Sequence, residues 1–194
     1  MENFIKKITK DVDLSFAILL SFCVYVFFAI NIEVFFSHNI SFAILERFAV
    51  LGLVGLALTI CIIAGEIDLS IGSNAALCAV IVVKLTDPLG APLAMLIGLS
   101  VSTLIGVTQG FVIAFIRIRA IVITVGTLML LRGVALLIAE EKTVMLTDFR
   151  VPDFITTKVL MYFSPASLTV IFIFICVGIF MRYTKYGREI YAFG

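Results

Sequence analysis

Residues 48–85 read FAVLGLVGLALTICIIAGEIDLSIGSNAALCAVIVVKL. An uncharged apolar run, Phe48–Gly65, is interrupted by Glu66-Ile67-Asp68-Leu69-Ser70, and a second run goes from Ile71 to about Leu85. As one α-helix these 38 residues would span roughly 57 Å, against a hydrocarbon core about 30 Å thick. One crossing cannot hold them. The segment is predicted to cross twice with a tight polar connection, the alternative being one crossing plus a re-entrant piece.

Working outward, four more apolar runs appear. Leu14–Phe36 follows a polar start carrying Lys6, Lys7 and Lys10. It is too long for a signal-peptide core and lacks a small-residue cleavage site, so it reads as an uncleaved first span. Beyond Leu85, Asp87-Pro88-Leu89-Gly90 signals a turn. Pro92–Ile116, Ala120–Ala139 and Ala166–Met181 complete the set, with a polar stretch at 140–164 and the tail RYTKYGREIYAFG. The whole is predicted to be an all-α polytopic membrane protein of about six transmembrane helices, with a polar break near residues 65–74. Residues 1–194 read as a single transmembrane domain.

Composition excludes other classes. Of 194 residues, 62% are hydrophobic and only 14% charged, against about 45–50% and 25% in a soluble domain. Disorder requires the reverse balance. A net charge of +1 gives no bulk attraction to nucleic acid. No glycine is followed by Lys and Ser or Thr, so there is no phosphate-cradling Walker loop.

Basic residues near span ends set orientation. Six crossings place Lys6, Lys7, Lys10, Arg117, Arg119, Arg182, Lys185 and Arg188 on one side. Arg47, Lys84, Lys142, Arg150 and Lys158 fall on the other. The bias predicts both termini in the cytoplasm and the 140–164 loop outside.

Cys23, Cys61, Cys78 and Cys176 lie in apolar runs, with no CxxC pair and none near the single histidine, His38. They read as buried structural thiols. No metal site is expected, since zinc needs several convergent N/S ligands. A serine nucleophile needs a positioned base, and His38 stands in a connector, so no catalytic residue is expected.

Polar side chains inside spans are costly and point to function. Glu66 and Asp68 stand two apart between Gly65 and Gly72, followed by Ser70, Ser73 and Asn74. Two readings are open: a polar break lining a translocation path, or a wetted turn in which Ser70 caps the next helix. Arg132 is either paired with Glu66 or Asp68, or snorkels to the interface. Gly106 and Gly110 form a GxxxG around Gln109, which suits close helix packing or a hydrogen bond across helices.

Three ordered motifs carry a resemblance. Gly65-Glu66-Ile67-Asp68-Leu69-Ser70-Ile71-Gly72-Ser73 is similar to the GGIDLSVGS signature of bacterial ABC importer permeases for ribose, related monosaccharides and autoinducer-2. Glu66 stands where a second glycine is usual. Val122-Ile123-Thr124-Val125-Gly126-Thr127-Leu128, leading to Leu131-Arg132-Gly133, resembles a second family segment. Tyr186-Gly187-Arg188-Glu189-Ile190-Tyr191-Ala192-Phe193-Gly194 resembles the approach to the cytoplasmic coupling region.

The resemblance implies the permease subunit of an ATP-driven importer for a monosaccharide or related small polar compound, in a bacterial inner membrane. It implies Glu66, Asp68, Ser70, Ser73, Asn74, Gln109, Thr127 and Arg132 along the pathway or its gate. It implies Tyr186, Gly187 and Arg188 facing an ATPase. ATP and magnesium would then sit on that partner, with no cofactor on this chain. A sugar-binding protein outside and a second permease subunit, identical or different, would complete the complex. Family members continue past this final glycine into further spans. The expectation is therefore an N-terminal portion, one half of a split permease, or a non-transporting remnant. An ATP-independent transporter using Glu66, Asp68 and Arg132 is the remaining alternative.

Overall fold

The computed structural model describes residues 2–146, 149–159 and 162–194. Its elements are α1 (Glu2–Asn31), α2 (His38–Ile63), α3 (Ile71–Leu89), α4 (Ala91–Ile116), α5 (Ala120–Ala139), α6 (Arg150–Thr156), α7 (Pro165–Tyr183) and α8 (Lys185–Phe193). Among the described residues, α2, α3, α4, α5 and α7 are long and apolar enough to cross a membrane, and α1 carries a shorter apolar stretch, Ser15–Asn31. The architecture is all-helical and polytopic. The chain divides into two compact units, Met1–Leu45 and Glu46–Gly194.

In the first unit the turn after α1 folds back on its own aromatic residues. The Tyr25 ring meets Phe35 edge-on at 5.1 Å and Phe36 at 6.5 Å. Ser37 then receives the Ile40 N–H at the start of α2.

In the second unit α3, α4 and α5 pack together. Leu77, Leu131 and Ala135 form the buried centre, with Val80, Ile81, Ile105 and Val134 around them. The connections are short. α3 runs through Asp87-Pro88-Leu89 and stops only at Gly90, whose φ of 79° makes the reversal. The turn expected over 87–90 is thus a single residue. Pro88 sits so near the helix end that its missing N–H removes just one bond. Arg117 closes α4 in a left-handed conformation, its N–H on the Ile113 carbonyl, and α5 begins at Ala120. At the far end of α5, Glu140 accepts a hydrogen bond from Lys84 at 2.9 Å, so α3 and α5 also end together. That bond, then the Lys84 charge, holds the Glu140 carboxyl below its ordinary pKa.

The side chains that face away are apolar. Leu104, Val107, Phe111 and Phe115 are exposed on α4, as are Val122, Met129, Leu130 and Leu137 on α5. In a bilayer such faces meet lipid, and helix association relies on close packing instead of hydrophobic burial. Cys23 and Cys176 belong to this outer surface and Cys61 and Cys78 are half-buried. The expectation of buried thiols is corrected accordingly: all four are free, and none is buried within the chain.

Packing also corrects the GxxxG reading. A Cβ at Gly106 or Gly110 would meet nothing within 4 Å. The contacts of α4 with α3 and the break run through Gly98, Ser102 and Gln109, while Gly106 and Gly110 are exposed. A Cβ at Gly98 would lie 2.6 Å from Val82 Cγ2 and 3.2 Å from Cys78 Sγ. Gly98→Val is therefore expected to cost about 1–3 kcal/mol. It should lower the melting temperature in detergent by about 3–10 °C, while Gly106→Val melts with the wild type. Equal melting of both variants would refute this packing.

Candidate functional site

The polar break follows from local chemistry. α2 ends at Ile63. Gly65 turns the chain at φ 78°, and the Glu66 N–H returns to the Cys61 carbonyl at 3.0 Å. Residues 66–70 are not helical. Asp68 Oδ1 accepts the Ser70 N–H at 2.8 Å and the Ser70 hydroxyl at 2.7 Å, the self-bonding that draws aspartate to turns. α3 starts at the next residue.

Gln109 of α4 reaches the same atoms. Its Nε2 donates to Asp68 Oδ1 at 3.4 Å, and its Oε1 lies 3.1 Å from Ser70 Oγ. The Ser70 hydroxyl has one proton, which serves Asp68 or Gln109 at a given moment. Ser70 therefore stands at the N-cap position without capping, because its hydroxyl is engaged by these two partners. Thr124 of α5 donates to the Ile67 carbonyl at 3.4 Å. Ser70 and Thr124 are almost fully buried, at 2% and 1% exposed. The break is tied to two helices at once.

Its depth matters. Gln109 stands seven residues before the end of α4, about 10 Å along the axis. The break thus lies beside the interior of a span, not level with its end. α2 and α3 are separate helices joined by a polar connection, as the sequence predicts, but that connection is held inside the helix cluster.

A groove of about 380 Å³ between α4 and α5 brings Thr108, Gln109 and Thr127 together above apolar walls that include Leu104 and Leu131. The Thr108 and Thr127 hydroxyls donate to their own helices, at Leu104 and Ile123, leaving oxygen lone pairs free to accept. The volume is within the range of small-molecule sites.

The remaining expected residues separate. Ser73 is buried in the first turn of α3. Asn74 exchanges two bonds with Ser102 of α4, at 2.8 and 3.2 Å, so its amide clamps helices. The Glu66 side chain is exposed. Arg132 lies two turns beyond Thr124 on α5, in a separate pocket of about 350 Å³ with Ala76, Ala79 and Ala135. Among the described residues it forms no ion pair with Glu66 or Asp68, and this corrects the pairing weighed from sequence.

Tyr186, Gly187 and Arg188 fall on α8. Thr184 caps that helix by accepting the Gly187 N–H at 3.0 Å. Gly187 is buried, because any side chain there would collide with the Met181 backbone. Tyr186 is exposed, and Arg188 donates to the Tyr183 carbonyl at 3.4 Å. The end of α8 returns to the break: Gly194 packs on the Ile63 carbonyl and on Gly65.

Ser102 and Thr124 are functional candidates that the sequence reading passed over. Ser102 had a signal, standing seven residues before Gln109 and so on one helix face. Thr124 had none, since Thr127 offers the same chemistry one turn later.

The family described as branched-chain amino acid transport system / permease component matches residues 40–194. The chain is 32% identical over 148 residues to the autoinducer 2 import system permease protein LsrC of Yersinia enterocolitica, covering 75% of this chain and 40% of that protein. It is 35% identical over 128 residues to the autoinducer 2 import system permease protein LsrD of Escherichia coli K12, covering 66% and 38%. The chain spans about two fifths of the length of these curated relatives. No solved structure matches.

Proposed function

The chain belongs to the branched-chain amino acid transport system / permease component family, and from that membership we propose that it serves as a permease subunit of an ATP-driven importer. Its cargo is a small polar compound of the ribose or autoinducer-2 class, the latter named for its relatives. The observation that carries this reading is the polar break held inside the helix cluster by Asp68, Ser70, Gln109 and Thr124. Few reasons exist to keep a carboxylate and a carboxamide at that depth unless they border a water-filled path.

The groove at Thr108, Gln109 and Thr127 offers the donors and acceptors that a polyhydroxylated molecule needs. Asp68, Ser70, Ser73 and Asn74 shape the break at one end of that path, with Glu66 exposed at its edge. Arg132 marks the opposite half of the span. The chemistry of ATP and magnesium belongs to a cytoplasmic ATP-binding partner, for which the exposed Tyr186 face of α8 is the docking side, with Gly187 and Arg188 shaping it from beneath. A sugar-binding protein delivers cargo from outside, and a second permease subunit completes the channel. The excess of basic residues on the side of Arg117, Arg119, Arg182, Lys185 and Arg188 supports an inner-membrane orientation with both ends of this chain in the cytoplasm. That orientation takes the shorter apolar stretch Ser15–Asn31 of α1 as a further crossing before the region matched by the family.

The test is uptake. Cells lacking their own ribose and autoinducer-2 importers receive this chain with the ATP-binding, substrate-binding and permease proteins encoded beside it. Saturable accumulation of labelled ribose or autoinducer-2 is expected, and it should cease when the ATP-binding partner is omitted. Accumulation that continues without that partner, or failure to carry either compound, would reject the proposal.

A further inference from the structure

The second unit contains another concavity, separate from the α4–α5 groove. α2 and α7 meet at one end, where Ser164 donates to Glu46 and the Phe48 and Phe174 rings lie 6.4 Å apart. Farther along they leave a groove of about 660 Å³. Its walls are Leu56, Ile60 and Ile63 of α2, and Val177 and Met181 of α7, with Arg182, Arg188 and Tyr191 at its mouth.

Three features distinguish it from ordinary lipid-facing surface. First, the floor is bare at Gly178, where a Cβ would meet nothing within 4 Å. Second, the one hydroxyl along the wall, Thr59, donates to its own helix at the Gly55 carbonyl, so the wall offers no donor to a polar guest. Third, two guanidinium groups and a phenol stand at one end, and none of the lining residues is acidic. Arg188 is steadied by its bond to the Tyr183 carbonyl, and Arg182 lies over the Tyr183 ring at 5.6 Å from its centre.

An apolar trough closed by two cations calls for a ligand with a hydrocarbon chain and an anionic head. Guanidinium groups match a phosphodiester in shape as well as charge. Basic pockets between transmembrane helices select anionic headgroups for this reason. We propose that this groove is a binding site for an anionic glycerophospholipid, with one acyl chain between α2 and α7 and the phosphate on Arg182 and Arg188. The inference rests on the membrane-embedded fold and stands apart from the transport reading.

The chain contains no tryptophan, so Phe174→Trp supplies a single reporter inside the groove. The protein is reconstituted with phosphatidylglycerol or phosphatidylcholine brominated on the acyl chain, and tryptophan quenching is read against mole fraction. The anionic lipid is expected to quench at about a fivefold lower mole fraction. Adding Arg182→Gln with Arg188→Gln should remove the preference, and Arg182→Lys with Arg188→Lys should keep part of it. Lys185→Gln, outside the groove, should leave it unchanged. Native mass spectrometry of the unsubstituted chain provides an independent reading, with phosphatidylglycerol adducts outlasting phosphatidylcholine adducts as detergent is stripped. Equal quenching by both lipids, no quenching by either, a preference that survives the double glutamine variant, or one lost in Lys185→Gln would each overturn the proposal.

Discussion

Asp68→Ala is expected to reduce uptake by at least about a hundredfold and to destabilise the protein by about 3 kcal/mol, the sum of two lost charge-assisted bonds. A single oxygen of this carboxylate accepts from the Ser70 N–H, the Ser70 hydroxyl and the Gln109 amide. Alanine leaves the Ser70 N–H and the Gln109 amide without this acceptor next to apolar walls, where unpaired donors are costly, while the Ser70 hydroxyl turns to Gln109 Oε1. The turn then loses the contact that fixes its shape, and α4 holds the start of α3 only through the Ser70–Gln109 and Asn74–Ser102 bonds. Asp68→Asn retains an acceptor oxygen and should be far milder, at about 1 kcal/mol. Uptake assays and melting in detergent separate the two variants. If Asp68→Ala melts with the wild type, the carboxylate does not hold the break.

Gly187→Val should have the largest effect at the other end of the molecule. The Met181 carbonyl, Cα and carbonyl carbon all stand where its Cβ would go. These are backbone atoms, so no side-chain rotation relieves the collision. The expected cost is about 3 kcal/mol or more, at the upper end for overpacking, and the cheapest relief is to lift α8 off α7. Lys185 and Arg188 lie on α8 and Arg182 in the last turn of α7, so trypsin reads the outcome directly. Cleavage there should accelerate about tenfold or more as the segment opens. Uptake should fall with it if α8 is the surface that meets the ATP-binding partner. An unchanged cleavage pattern would show that α8 is not packed on Met181.

Much of this was legible from hydropathy and spacing. The apolar runs locate α4, α5 and α7 closely, while α2 begins well before the charge-free run at Phe48, at His38, and the Glu66–Ser70 interruption marks the break, because in a bilayer these signals are strong. Other features escaped for physical reasons. A serine before a helix reads as a cap, yet Ser70 has one hydroxyl proton and two better acceptors nearby. Gly106 and Gly110 match a packing motif, but a helix has several faces, and the deciding contact was Gly98 against Val82. Asn74 is legible as a polar candidate, but its partner Ser102, 28 residues away, is not. Arg132 invites pairing with any nearby carboxylate, and only the two turns between it and Thr124 remove Asp68 from reach. In each case a long-range contact decided among local options that the chain leaves open.

The brevity of the connectors around α4 has a kinematic consequence. One residue joins α3 to α4, and three join α4 to α5. Such links have no slack, so the three helices cannot slide past one another and must travel as a single block. The Lys84–Glu140 contact closes the same block at its other end. The joints left to it are Gly65-Glu66, just before the residues that Ile67, Asp68 and Ser70 tie to α4 and α5, and the chain that follows Glu140. Of these, the first is touched by Gly194, so a push delivered to α8 reaches that joint without an intermediary. Under the transport proposed above, that block would rock about Gly65, and a cross-link between Gly65 and the end of α8 should stall it.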